Sequence, residues 1–257
     1  MKFVIVCSEK DEAGMNIYNH LKPFNLEVHL LKEDSVYCEN DHPAWKKIKA
    51  DFIIFATRHK SQQQRKNLSI HAPGNLKQAD FGGQPGKLCN TSAFFLKHMF
   101  QVLNKEAENS GYDSILEVTH HGPLIDKPCC FIEIGTTISE WQDEKAGEII
   151  ARTIKKAIET FSNKKFISAI GIGGPHYAPN FIKIQLNSEY AISHIISEYA
   201  FPLTKEMVQE AIEKTTEKTE TAIIDWKGMG KSEQKQEIIK ILESLNLKVI
   251  RTNNIEK

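Results

Sequence analysis

Short apolar runs recur along this chain, and four of them lead into segments that set histidine beside glycine, proline, asparagine or a basic residue. These segments are Arg58-His59-Lys60, His71-Ala72-Pro73-Gly74-Asn75, Thr119-His120-His121-Gly122-Pro123 and Gly173-Gly174-Pro175-His176-Tyr177-Ala178-Pro179. The runs themselves read as buried strands. Open α/β sheets keep their sites at strand ends, so the pattern limits the fold to that class and points to chemistry rather than packing for the histidines.

The remaining elements agree. Strands are expected over 3–7, 26–31, 52–56, 115–119, 128–134, 166–170, 181–186, 222–224 and 247–250, with a short one at Tyr37-Cys38. Helices are expected over 12–21, 91–108, 190–199, 204–214 and 232–245. In the second of these, Phe95, Met99, Val102 and Leu103 share one face. A further helix opens at Thr137-Ile138-Ser139-Glu140, whose spacing is that of a capping box. Its apolar stripe is Ala146, Ile150, Ile154, Ala157, Ile158 and Phe161. Residues 57–89 read as a long irregular stretch holding three glutamines (62–64) and a brief strand at 68–71. Alternating strands and helices predict an α/β fold, with a mixed, largely parallel central sheet flanked by helices. With no linker or repeat, residues 1–257 are expected to form a single domain.

Composition narrows the function classes. No apolar run approaches the ~18 residues of a membrane span, and the N-terminus enters a strand without a signal-peptide pattern. A soluble, cytoplasmic protein is the expectation. Five cysteines without a CxxC pair argue against both a disulfide framework and a cysteine–zinc site. Cys7, Cys129 and Cys130 lie in apolar runs and read as buried hydrophobes. A net charge of zero argues against bulk coating of nucleic acid. Local basic groups remain in Arg58, Lys60, Arg65, Lys66 and Lys164-Lys165.

Two nucleotide signatures fail. Gly230-Lys231-Ser232 follows a strand and precedes a helix, but Asp225 stands where a P-loop needs its first glycine. A turn with a helix N-cap at Ser232 is expected instead. Gly171-Ile172-Gly173-Gly174 runs into Pro175, which cannot open a Rossmann helix. No nucleotide cofactor is expected.

Among the candidates, His120 and His121 would point to opposite faces of a strand, unless the strand ends and the Gly-Pro turn changes their geometry. Either could act as base or metal ligand. Glu133 lies inside an apolar strand and needs a partner there. Asn75 offers an amide in a rigid turn, suited either to an oxyanion or to left-handed backbone. His176 sits between two prolines. No HExxH or HxH pair is present. His20, His29, His42, His98 and His194 occur singly, the last two in predicted helices, and read as structural or surface residues.

Taken in order, further motifs join these segments: Glu117-Val118 before Thr119, Phe131-Ile132-Glu133-Ile134-Gly135-Thr136-Thr137 with Trp141, and Asp225-Trp226-Lys227-Gly228. Together they resemble the D-aminoacyl-tRNA deacylases of archaea and plants, from residue 1 to about residue 250. Thr136 stands where the family has serine, and Ile138 where it has a charged residue; neither removes a candidate group. The resemblance implies a fold similar to peptidyl-tRNA hydrolases and nucleoside phosphorylases. It also implies Zn²⁺ dependence and hydrolysis of the ester of D-aminoacyl-tRNA, with a monomer expected. In the implied site, His120 or His121 with Glu133 activates water. Asn75 and amides near Gly173 and Gly174 face the oxyanion. Arg58, Lys60, His71 and Tyr177 contact substrate, while His59, His120, His121 and His176 are candidate metal ligands. Rigid backbone near Gly122-Pro123 or Gly174-Pro175 is the expected source of chiral selection. The competing readings are a metal-dependent hydrolase or phosphorylase of a free nucleoside or small ester, and a non-catalytic tRNA-binding protein.

Overall fold

The computed structural model describes residues 1–62, 65–162 and 165–255. Gln63 and Gln64 of the glutamine run, and Lys164 of the basic pair, lie outside them. The first third lays down β1 (Phe3–Ser8), α1 (Glu12–Leu21), β2 (Val28–Leu31), the short α2 (Ala44–Lys47), β3 (Phe52–Lys60), β4 (Asn67–His71) and the two-residue strands β5 (Gly74–Asn75) and β6 (Lys87–Leu88). The middle adds α3 (Ala93–Glu106), β7 (Asp113–Leu116), β8 (Cys129–Thr136), α4 (Ile138–Trp141), α5 (Glu144–Thr160) and β9 (Ile167–Ile172). The last third holds α6 (Pro179–Asn187), β10 (Tyr190–Ile196), α7 (Lys205–Glu213), β11 (Thr221–Ile224), α8 (Ser232–Ser244) and β12 (Lys248–Arg251).

Six strands form one sheet in the order β2-β1-β3-β8-β4-β7, and four form a second in the order β10-β9-β11-β12. The second sheet is parallel throughout. In the first, β1, β2, β3 and β8 run together while β4 is antiparallel to β8. The mixed, largely parallel α/β fold read from the pattern is therefore present.

Pleat alternation gives the six-stranded sheet two unlike faces. On one, Ile54, Ala56, Ile132, Ile134, Leu68 and Ile70 join a core with Ile17 of α1, Phe95, Met99 and Leu103 of α3, and Ile150, Ile154 and Ala157 of α5. On the other, each strand offers a residue in register. Phe55 pairs with Phe131 and Phe131 with His71; Thr57 pairs with Glu133 and Glu133 with Ser69; His59 pairs with Gly135 and Gly135 with Asn67. Helix α3 also packs on β10 and so joins the two sheets. Its buried Lys97 donates to the Ile184 and Gln185 carbonyls at the end of α6, 3.2 and 2.6 Å away, where a cation suits unpaired helix carbonyls.

Several sequence expectations are corrected. Residues 181–186 belong to helix α6, with Pro179 at its first turn, and 190–196 form strand β10, so this pair is inverted. Pro at the first helical position is a start signal, whereas Tyr190–Ile196 is a short, β-branched run buried throughout. His194 consequently lies in a strand, buried, its ring bonded to Thr119 and to the Lys214 carbonyl. Strand β3 continues through His59 to Lys60, rather than giving way to loop at Thr57. Ser35–Tyr37 is a 3₁₀ turn and Cys38 caps it, so no strand forms there. The capping box at Thr137 and Glu140 is present, but it opens only α4; Asp143 caps a separate α5. Ser232 is the first residue of α8 and Lys231 occupies the cap position. All five cysteines are buried and free, as Cys7, Cys129 and Cys130 were expected to be.

The Asp225-Trp226-Lys227-Gly228 motif is a packing joint. A Cβ on Gly228 would come within 2.4 Å of the Gly174 nitrogen. Gly228→Ala is therefore expected to lower the denaturant midpoint with an unchanged slope, by roughly 1–3 kcal/mol of stability. Equilibrium urea unfolding by circular dichroism checks this.

Candidate active site

The polar face of the six-stranded sheet carries the site. Glu133 sits mid-strand in β8, 2% exposed. Its carboxylate accepts the Thr57 hydroxyl at 2.7 Å from the neighbouring β3. It stands 3.7 Å from both His59 Nδ1 and His71 Nε2, and 4.0 Å from His121 Nε2. Glu133 is thus a buried acid with partners, as the sequence demanded.

A second buried carboxylate, Glu117, lies directly after β7 and is also 2% exposed. Its Oε2 is 3.0 Å from His59 Nδ1, 2.8 Å from His176 Nε2 and 3.5 Å from His120 Nε2, whereas its Oε1 has no hydrogen-bond partner. Sequence reasoning quoted Glu117 within a motif but gave it no role. The signal that singled out Glu133, an acid in an apolar run, applies equally after Ile115-Leu116. Thr57 was missed because the strand was ended at Ala56.

The histidines converge from both sheets. β7 stops at Leu116, and His121 adopts φ +41°, so His120 and His121 do not alternate; their rings lie 4.3 Å apart. His71 stacks on Phe131, with His120 4.2 Å and His121 4.8 Å away between centroids. His176 arrives from the loop after β9 and lies 4.8 Å from the His120 ring. Gly135 leaves room for His59, since a Cβ there would come within 2.9 Å of its ring. Tyr177 adds a hydroxyl 3.1 Å from His59 Nε2, and Trp141 donates to the His59 carbonyl at 3.1 Å.

Local hydrogen bonds orient three rings alike. The Nδ1 atoms of His71, His120 and His121 meet the carbonyls of Ala72, Val118 and Gly122 at 3.2, 2.8 and 2.7 Å. A carbonyl only accepts, so each Nδ1 carries a proton, and in the neutral ring Nε2 keeps its lone pair. These three residues can bring ligand atoms within 4.8 Å of one another, as can His59, Glu117 and His176. His71 Nε2 is buried without a hydrogen-bond partner. A set of converging lone pairs, one of them orphaned, fits a soft-to-borderline cation such as Zn²⁺.

The same packing separates the histidines by charge. Burial opposes a charge on His59, but Glu117 and Glu133 outweigh it and raise its pKa to about 10. Glu117 is buried too, yet His59 and His176 hold it well below the usual carboxylate range. Burial and neighbouring histidines, His71 first, depress His120 strongly and take His121 down to about 4. His71 is raised, the Glu133 carboxylate overcoming its burial.

His59, His120, His121, His176 and Glu133 line an open cleft of about 440 Å³, together with Asp11, Asp34, Val36, Tyr37, Arg58, Lys60 and Phe81, while Glu117 and His71 lie behind them. Four of the residues implied to contact substrate already have partners within the protein. Asn75 donates its amide to the Gly82 carbonyl at 2.8 Å. The Gly173 and Gly174 amides donate to the Ile196 and Gly228 carbonyls at 2.8 and 3.2 Å, so both are spent on holding the second sheet together. The Arg58 guanidinium is committed to Asp34 at 3.0 Å, Glu12 at 3.4 Å and the Lys10 carbonyl at 2.9 Å. Arg65 likewise pairs with Asp113 at 2.7 Å.

A mixed α/β sheet with a buried histidine–carboxylate centre in an open cleft is the architecture of an enzyme. A family model described as D-aminoacyl-tRNA deacylase matches residues 46–250. The chain is 41% identical over 205 residues to a D-aminoacyl-tRNA deacylase of Thermococcus kodakarensis, spanning 79% of this chain and 75% of that one. It is 33% identical over 271 residues to one from Pyrococcus abyssi, spanning 96% and 99%. A solved structure described as a conserved protein of unknown function, AF0625, superposes with TM-score 0.91 at 31% identity, covering 100% of this chain and 98% of that one. This chain belongs to the D-aminoacyl-tRNA deacylase family.

Asp11, which accepts from the Gly14 and Arg58 amides at the cleft wall, supplies a pH test. Burial lifts its pKa to about 6 from an ordinary value of 3.8, against the two amide bonds and Arg58. The folded state then binds the proton more tightly than the unfolded state. Its contribution to stability is present below about pH 4 and is lost as pH rises through about 6. Relative to Asp11→Asn, the native chain is expected to gain up to about 3 kcal/mol between pH 7 and pH 4. Chemical denaturation of both proteins across that range measures the difference, and parallel profiles would contradict it.

Proposed function

We propose that this protein hydrolyses the ester joining a D-amino acid to the 3′ end of tRNA, releasing D-amino acid and free tRNA. Family membership sets the reaction, and the observation that carries it to specific residues is the pair of buried carboxylates bracketed by five imidazoles. Ester hydrolysis needs an activated water, a stabilised oxyanion and a protonated leaving group. Glu133, held by Thr57, faces His121 and is placed to orient or deprotonate water with it. His59, charged at neutral pH, supplies positive charge for the oxyanion and a proton toward the ribose oxygen, with Tyr177 beside it. His176 and Glu117 hold His59 in place.

His71, His120 and His121 would hold Zn²⁺ through their Nε2 atoms, with His59, Glu117 and His176 as a second set. A bound zinc would supply a Lewis acid at the cleft floor. His59 would have to lose its proton to join such a set, making affinity pH-dependent. On this reading the protein works in the cytoplasm, as a monomer, without a nucleotide cofactor. Among the described residues no helix is long and apolar enough to cross a membrane. Nothing in the site favours a phosphorylase of free nucleosides or a small-ester hydrolase. A non-catalytic tRNA binder would have no use for two buried carboxylates.

Release of amino acid from D- and L-tyrosyl-tRNA, with and without a chelator, tests the proposal. The D-ester is expected to be cleaved, the L-ester spared, and activity lost on chelation and regained with Zn²⁺. His121→Ala and Glu133→Gln should each cost at least ~100-fold in kcat/KM with circular dichroism unchanged. Full activity in both variants would overturn the assignment, and full activity after metal removal would dismiss zinc.

A further inference from the structure

Two aromatic side chains in the cleft are not explained by ester chemistry. Tyr37 is 56% exposed and Phe81 64% exposed, although both line the same cleft as His120, His121 and Glu133. The loops that carry them are tied together. The Gly122 amide, next to His121, donates to the Phe81 carbonyl at 2.8 Å. Glu39 accepts from the Gly83 amide at 2.6 Å and the Leu124 amide at 2.8 Å, tying the loop of Phe81 to the loop of His121. Any Cβ on Gly82 would collide with the Val36 carbonyl, so the turn carrying Tyr37 is pressed onto the same joint. The Asn75 amide closes it from the far side.

Large rings open to water beside a polar centre, on loops tied to it, suit a ligand with its own π face. The cleft also holds one uncommitted cation. Among the described residues the Lys60 ammonium has no ion-pair or hydrogen-bond partner, in contrast to Arg58 beside it.

We propose that this outer wall binds the 3′-terminal adenosine of the substrate, its base on Tyr37 and Phe81 and its 5′-phosphate at Lys60. The inference rests on the deacylase reading and specifies which part of the substrate supplies its binding energy. Every tRNA ends in adenosine, so a site for it serves any aminoacyl ester of tRNA whatever its side chain. Stacking on aromatic rings is sequence-tolerant and strong, and a lysine contact adds a salt-dependent attraction. The aromatic wall abuts the catalytic histidine loop, so the base would be seated within one residue's reach of the ester.

The test measures adenosine 5′-monophosphate and adenosine binding to the metal-loaded protein by ligand-observed NMR, alongside deacylation kinetics. Tyr37→Ala and Phe81→Ala should each weaken AMP binding about tenfold or more, while Tyr37→Trp and Phe81→Trp retain it. Lys60→Gln should reduce AMP affinity to that of adenosine. In deacylation, the alanine variants should raise KM equally for D-alanyl- and D-phenylalanyl-tRNA with kcat nearly unchanged. AMP affinity unchanged by both alanine variants would overturn the proposal. A KM effect confined to D-phenylalanyl-tRNA would overturn it too, marking the wall as a side-chain subsite. Because AMP binding is read without turnover, wild-type protein that binds AMP as stated but cleaves no D-ester would sink the deacylase reading and leave the adenosine site standing.

Discussion

Two carboxylates almost wholly withdrawn from solvent organise this molecule. Glu117 and Glu133 are each 2% exposed, and an isolated buried carboxylate would carry a desolvation cost of several kcal/mol. Each is compensated by imidazoles brought from separate elements: β3 supplies His59, β4 supplies His71, the loop after β7 supplies His120 and His121, and the second sheet supplies His176. The loop after β7 delivers two of these rings and the loop after β9 one, while β3 and β4 carry the other two themselves. Removing a carboxylate would leave the rings crowded against one another with nothing to hold their charge.

The sheet makes this centre possible through alternation. One face of β3, β8 and β4 is apolar and packs on α1, α3 and α5. The opposite face presents Thr57, Glu133 and Ser69 in one row, with His59 and His71 in adjacent rows. His59, His71 and Glu133 stand on strands, and the rings of His71, His120 and His121 are further oriented by carbonyls at Nδ1. The Gly173 and Gly174 amides of the loop after β9 donate to carbonyls within the protein. The loop turns against Asp225 and Gly228, and Asn180 reinforces the turn by donating to Asp225 at 2.8 Å. That joint sets where His176 enters the cleft and where Tyr177 meets His59.

Much of this could be read from residue order. The early strands, α1, α3 and the capping box follow from period and caps, and Glu133 was recognisable as an acid stranded in an apolar run. The inversion of α6 and β10 came from reading two neighbouring apolar runs without weighing Pro179 as a helix opener. The polar end of β3 hid because Thr57 and His59 face the site rather than a core, so hydrophobic pattern stops before the strand does. Glu117 was hidden by proximity to the more conspicuous His120-His121. The commitment of Asn75, Arg58, Gly173 and Gly174 to internal hydrogen bonds depends on long-range packing, which no local signal carries.

Glu117 and Glu133 hold His59 charged, whereas burial and the crowding of His71 keep the chemically identical rings of His120 and His121 neutral. Long-range ¹H–¹⁵N correlation spectra of the imidazoles, recorded on metal-free protein across a pH series, read that division ring by ring. The account predicts that His59 stays protonated to about pH 10 while His121 stays neutral down to about pH 4. Titration of all these rings together near ~6.5, the value of an unperturbed histidine, would contradict it.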